Sequence, residues 1–148
     1  PYRIIVSGRI KHFISAFGEH VIAKEVEYAL LSALKTTNVS VSEFTVAPQI
    51  APSEELPYHE WFIEFENPPS DLEVFASQID DALQIQNSYY LDLIQGKVLQ
   101  PLKITQVQKG GFQNYMKTIG KLGGQNKTPR LSNDRKIADV LTQSSKTN

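Results

Sequence analysis

The sequence predicts an α+β fold, a mixed β-sheet packed with about three to four helices. Residues 22–34 and 72–83 carry apolar side chains at helical spacing. Residues 39–47 and 59–66 instead alternate as strands do. Helices and strands interleave without the regular strand-helix alternation of a doubly wound parallel sheet.

Residues 2–6 read as a strand ended by Ser7-Gly8, and residues 10–15 as a second extended piece. Ile22, Val26, Ala29, Leu30, Ala33 and Leu34 line one side of a helix, with Lys24, Glu25, Glu27, Ser32 and Lys35 mostly opposite. In strand 39–47, Val41, Glu43, Thr45 and Ala47 fall on one side and Ser40, Ser42, Phe44 and Val46 on the other. After a loop over 48–57, Trp61, Ile63 and Phe65 alternate with Glu60, Phe62, Glu64 and Glu66, the pattern of a half-buried strand. Asn67-Pro68-Pro69 closes it. Ser70-Asp71-Leu72-Glu73 has the form of a capping box with Ser70 as N-cap, ahead of a stripe of Leu72, Phe75, Ala76, Ile79 and Leu83. A shorter helix over 88–95 and a strand over 103–107 follow. Gly110-Gly111 breaks the chain before a helix over 112–119, and 121–130 is a loop. Asn133 or Asp134 caps a last helix through Leu141, with 143–148 a polar tail.

The chain has 148 residues, 41% hydrophobic and 21% charged, with no apolar run approaching the ~20 residues a membrane-spanning helix needs. The absence of cysteine excludes disulfides, thiolate nucleophiles and Cys-based zinc sites, and permits a reducing compartment; the expected one is the cytoplasm. The chain begins at Pro1 without an initiator Met and reads as a piece of something longer. Residues 1–100 carry a net charge of −8 and residues 101–148 one of +7. Either the positive end serves a phosphate or nucleic-acid partner, or the two ends attract each other or are simply solvated. The second reading is favoured because charges more than ~10 Å apart are screened.

His12, His20 and His59 share no ligand spacing, so no metal site is expected. No serine lies in a Gly-x-Ser-x-Gly elbow, and Asp80-Asp81 reads as a solvated helix face. Residues 120–128, Gly-Lys-Leu-Gly-Gly-Gln-Asn-Lys-Thr, suggest a phosphate loop, but Asn126 stands where that motif needs Gly and Pro129 where it needs helix. What survives is a loop delivering one ammonium, Lys127, with Arg130 three residues on. Such a charge could stabilise negative charge developing in a transition state; the alternative, which sequence physics alone favours, is a surface turn. A second constellation runs from Gly8-Arg9-Ile10-Lys11 through Ser15-Ala16-Phe17-Gly18 to Glu25-Val26-Glu27. Its alternative is a hairpin turn, a strand and a helix.

In order and spacing these features resemble the mobile C-terminal domain of adenylate-forming enzymes. That domain opens with Gly-Arg-x-(Asp or Lys), an extended run with an Ile, a loop Gly and Glu-(Ile or Val)-Glu, and Gly8, Arg9, Lys11, Ile14, Gly18, Glu25, Val26 and Glu27 fit without a gap. It also carries a lysine in a glycine-containing loop near its C-terminus, where Lys127 stands. The wording Gly-Gly-Gln-Asn-Lys-Thr-Pro-Arg is similar to the acyl-acid-amido synthetases of the auxin-responsive Gretchen Hagen family. Phe13-Ile-Ser-Ala-Phe-Gly-Glu-His and Gly111-Phe112 are similar to its bacterial branch.

The resemblance implies a mobile lid over 1–142 with a hinge near 8–12, built on Gly8, Arg9 and Lys11. It implies a catalytic Lys127, and active-site loops containing Ser15 and Gly18, and Gly123, Gly124, Gln125, Pro129 and Arg130. The implied reaction joins a carboxylic acid to an amine such as an amino acid through an acyl-adenylate, using ATP. ATP and its Mg would be held mainly by a large N-terminal domain outside this chain, the lid's main partner; this piece alone would be inactive. No nucleic-acid or membrane partner is expected. A rival reading is a free-standing module that uses 109–136 to hold nucleic acid or another polyanion, although only Phe112 and Tyr115 supply aromatic faces there. A third is an interaction domain with an acidic face over 54–81.

Overall fold

The computed structural model describes residues 13–14, 17–50, 54–118, 130–132 and 134–146. In chain order these form β1 (Phe13–Ile14), β2 (Val21–Ile22), α1 (Ala23–Leu34), β3 (Ser40–Gln49), β4 (Tyr58–Asn67), α2 (Leu72–Gln86), α3 (Ser88–Gln95), β5 (Lys103–Val107), α4 (Gly111–Thr118) and α5 (Lys136–Lys146). The strand expected over 2–6 lies outside the described residues. The fold is α+β, with five helices among the described residues, a mixed three-stranded sheet and a short antiparallel ribbon of β1 and β2. None of these helices is long and apolar enough to cross a membrane.

β4 is the middle strand, antiparallel to β3 and parallel to β5. A parallel neighbour requires a crossover, and α2 and α3 provide it. Strict alternation made β4 half-buried; the structure covers both of its faces. Trp61, Ile63 and Phe65 join Val26, Leu30, Phe75 and Ile79 in one core. Phe62 joins Phe112, Tyr115, Ala138 and Leu141 of α4 and α5 in a second. The glutamates flanking Phe62 disguise its face, because neither is simply solvated. Glu64 accepts from the Gly110 and Phe112 amides at 3.1 and 3.3 Å, at the start of α4, and Glu60 accepts from Arg135 at 2.8 Å. In β3 a register irregularity around Val41 also breaks the predicted alternation, and Val41 packs with Phe44 and Val46 instead of siding with Glu43 and Thr45.

The N-cap of α2 is Asp71, not Ser70. Its carboxylate accepts from the Glu73 and Val74 amides at 3.0 and 3.1 Å, and its negative charge suits the positive end of the helix. Asp80 is buried, contrary to its reading as a solvated face, whereas Asp81 is exposed. Asp80 accepts from the Tyr90 hydroxyl, from Gln84 at 2.6 Å and from the Leu102 amide at 3.0 Å, so it ties α2 to α3 and to the end of the crossover. At the C-terminal end, Asp134 accepts from the Lys136 amide at 3.0 Å, and α5 continues through Lys146 into the segment read as a polar tail. Asn133 lies outside the described residues.

The Gly110-Gly111 break has a steric cause. Gly110 sits at φ +86°, and a Cβ on Gly111 would lie 2.3 Å from Val107 Cγ1, so the first turn of α4 closes directly over β5. Gly111→Ala is expected to destabilise the fold by about 1–3 kcal/mol. Chemical denaturation should show a smaller cost in a Val107→Ala background; additive losses would contradict the contact.

Candidate functional site

Gly8, Arg9, Lys11, Ser15, Gly123, Gly124, Gln125, Lys127 and Pro129 lie outside the described residues. Gly18 and Arg130 lie within them. Gly18 belongs to the turn between β1 and β2, and Arg130 follows the segment that contains Lys127.

At Gly18 the backbone takes φ +91° with open space around the missing Cβ, so conformation and not crowding selects glycine there. The turn is pinned by its neighbour. Glu19 is fully buried, accepts from the Phe17 amide at 2.8 Å, and meets His59 Nε2 of β4 at 2.6 Å. Burial alone would raise the Glu19 carboxyl; the hydrogen bond and charge of His59, with the local backbone donors, outweigh it and leave the group below its ordinary value. His59 Nδ1 is buried without a hydrogen-bond partner among the described residues. The His59 ring lies 5.1 Å from that of Tyr90, whose phenol is pushed well above its usual range by burial and then by Asp80, so it remains a donor.

Asn87 fastens the same turn from the other side. Its Oδ1 accepts from the Tyr90 amide at 2.9 Å and caps α3, while its Nδ2 donates to the carbonyls of Glu19 and His20 at 3.0 and 3.2 Å and to Glu25 at 3.0 Å. Glu25 also accepts from the Ile22 amide at 3.1 Å, satisfying a donor at the start of α1. Beside these groups lies an open cleft of about 630 Å³ bordered by Gly18, His20, Glu25, Asn87 and Tyr89. Glu19, His59 and Asn87 escaped sequence reading. Asn87 had a local signal, an N-cap residue between two helical stretches, whereas Glu19 and His59 are forty residues apart in sequence.

Arg130 is held by two other elements. Its guanidinium pairs with Glu43 of β3 and, through Nε at 3.4 Å, with Glu27 of α1, and lies 4.7 Å from the centre of the Phe44 ring. Its carbonyl accepts from the Val46 amide and the Ser132 amide donates to the Val46 carbonyl, both at 2.9 Å, with Leu131 buried between them against the outer edge of β3. Residues two apart on a helix point about 200° apart. Glu25 therefore serves the Gly18 turn while Glu27 serves Arg130.

The charge split resolves in part as contact. Lys103–Glu55, Arg130–Glu27, Arg130–Glu43 and Arg135–Glu60 all join the basic third of the chain to the acidic part. Among the described residues no three His, Asp or Glu side chains are grouped to hold a metal ion. In the described part of the site the carboxylates of Glu19, Glu25, Glu27 and Glu43 are engaged by backbone amides, His59, Asn87 and Arg130.

A carboxyl with a lowered folded pKa contributes stability above its unfolded value of about 4.3, and that contribution is lost as pH falls through the folded value. Glu19→Gln should thus cost about 1–3 kcal/mol near neutral pH. The gap from wild type, read from melting curves, should narrow below about pH 4. A gap independent of pH would show that the Glu19 charge does not matter.

Solved structures of "GH3.15 acyl acid amido synthetase" and "AtGH3.15 acyl acid amido synthetase in complex with 2,4-DB" share the fold, with TM-scores of 0.72 and 0.70 and 18% sequence identity. Each match covers 90% of this chain and 26% of the other, so the chain spans about a quarter of the length of these relatives. No curated protein sequence matches it. The model of the GH3 family C-terminal domain matches residues 24–136, from α1 to the first residue of α5. That stretch is about three quarters of the chain and takes in Glu25, Glu27, Asn87, Lys127 and Arg130, and by it the chain belongs to the GH3 family as a C-terminal domain.

Proposed function

We propose that this domain is the moving lid of an ATP-dependent acyl-acid-amido synthetase. In the first step a carboxylic acid attacks the α-phosphate of ATP, giving acyl-adenylate and pyrophosphate; in the second an amine displaces AMP and forms an amide. Neither step needs a protein nucleophile, in keeping with a chain that has no cysteine. The family match over 24–136 is the observation that carries this reading. Support also comes from the two carboxylates of the Glu25-Val26-Glu27 motif: Glu27 pairs with Arg130, and Glu25 shares Asn87 Nδ2 with the Glu19 and His20 carbonyls beside Gly18.

In this reading Lys127 contacts the acid carboxylate and the α-phosphate, and its charge favours the transition state in which negative charge builds on phosphate oxygens. Lys11, with Gly8 and Arg9, forms the hinge about which the domain turns between the two steps. The ATP and acid pockets, and any magnesium, belong to the remainder of the ligase, and the domain alone does not turn over. Within 109–136, Arg130 and Arg135 are already paired with carboxylates, which weighs against a polyanion-binding role.

In the full-length protein Lys127→Ala should lower acid-dependent pyrophosphate exchange about 100- to 1,000-fold, and reduce amide formation from supplied acyl-adenylate much less. Equal loss of both steps, or of neither, would remove Lys127 from adenylation. Lys11→Pro, which restricts the backbone at the hinge, should leave adenylation largely intact and slow transfer. If adenylation fell as far, the hinge assignment would be wrong.

A further inference from the structure

In the order β3-β4-β5, strand β5 pairs with β4 alone, over Lys103–Val107 without a register break, and among the described residues no strand lies beyond it. The other edge of the sheet is already used, because the stretch around Leu131 lies along β3. An edge strand presents a row of amides and carbonyls that its one neighbour does not reach. Such edges are commonly guarded by a lysine. Lys103, the lysine of β5, is turned back instead: its ammonium meets Glu55 at 2.6 Å and lies 4.9 Å from the centre of the Tyr58 ring, at the start of β4.

Beside this edge lies an open groove of about 520 Å³ between α2 and residues 100–104. Leu72, Ala76 and Ile104 give it an apolar lining. Its charge comes from Glu73 and Asp81, both exposed and neither in an ion pair among the described residues, whereas Lys103 is neutralised by Glu55. The two carboxylates stand eight residues apart on α2, which is about 12 Å along the helix. In an extended chain, residues four apart lie about 13 Å apart and point to the same face. A strand laid against β5 can therefore set two basic residues against Glu73 and Asp81, with an apolar residue between them facing Leu72 and Ala76. We propose that the β5 edge and the α2 groove together receive an extended segment of another protein, of the pattern basic-x-apolar-x-basic, by strand addition. The two edges of the sheet lie on opposite sides, so a large domain that engages the Arg130 stretch leaves β5 uncovered. That choice of a separate protein rests on the ligase reading; the docking itself does not.

The probe is the peptide Thr-Arg-Thr-Val-Thr-Arg-Thr with an N-terminal fluorophore, titrated into the full-length protein and followed by anisotropy. Binding should saturate below about 1 mM, and in the complex hydrogen exchange over residues 103–107 should slow by about fivefold or more. A copy N-methylated through its central five residues has no amides to give β5 there and should bind at least about tenfold more weakly. A copy with Glu in place of both Arg should lose as much. Glu73→Gln with Asp81→Gln should weaken the original peptide about 5- to 20-fold. Raising salt from about 0.05 to 0.5 M should weaken it on the wild type too, which reads the charge contribution without any variant. No saturable binding, or unchanged exchange over 103–107, would overturn the site. Equal affinity of the N-methylated copy would overturn strand addition, and equal affinity of the Glu copy the basic pattern. In the peptide-free protein, exchange over 103–107 as slow as over 60–64 would mean that the large domain covers the edge. Slowing with protein concentration would mean that a second copy does, and either result would overturn a separate partner. A protein with no acid-dependent pyrophosphate exchange would defeat the ligase reading while leaving the peptide results standing.

Discussion

A strand buried on both faces needs a layer of helices on each side, and β4 imposes that requirement by sending Trp61 and Ile63 into one core and Phe62 into the other. Its parallel pairing with β5 forces a crossover, so α2 and α3 must lie between the two strands in the chain. Phe62 still needs cover on the second face, and α4 and α5 supply it. Between those helices the chain returns to the outer edge of β3 at Leu131. Both flanks of the segment containing Lys127 are thus set by packing: α4 against Phe62 on one side, Leu131 in the first core on the other.

Buried carboxylates supply the finer placement. Taking such a group from water costs several kcal/mol unless donors replace the lost hydration, and Glu19 and Asp80 each meet that demand with two or more donors drawn from other elements or backbone. The geometry that satisfies them is correspondingly narrow. Glu19 cannot be moved without losing His59, so the Gly18 turn is registered to the middle strand; Asp80 cannot be moved without releasing Tyr90 and Leu102. The more exposed pairs of Arg130 and Lys103 are different in kind. They add little stability, yet they decide where particular side chains and loop ends sit.

Periodicity made much of the fold legible. α1, α2 and the core of β3 to β5 follow the spacing of their apolar residues, because a helix or strand with one buried face must repeat. The errors fall where a polar residue is buried or a second face is covered. Glu60 and Glu64 beside Phe62 looked like a wet face because sequence does not reveal that Arg135 and the start of α4 will meet them. Asp80 looked solvated for the same reason, and Ser70 outranked Asp71 because two capping patterns overlap by one residue. At the site, the motif residues Gly18, Glu25 and Glu27 stood out by spacing and resemblance, but Asn87 and Arg130, the partners of Glu25 and Glu27, and His59, the partner of neighbouring Glu19, are brought there only by tertiary packing.

The motif itself then has a physical explanation. Two carboxylates separated by one residue on a helix cannot face the same neighbour, since their side chains diverge by about 200°; what they share is a rigid body. Glu25 binds the helix to Asn87, which in turn holds the Glu19 and His20 carbonyls beside Gly18, and Glu27 binds it to Arg130. For an enzyme that exposes one loop in the first half-reaction and another in the second, such an arrangement is economical. On the proposed two-step reading, a rotation of the whole domain would exchange the loops without rearranging either, and only the hinge would have to absorb dihedral change. On that reading a loose joint between α1 and the Gly18 turn or Arg130 would lose part of the rotation in bending, and the side-chain ties of Glu25 and Glu27 oppose it.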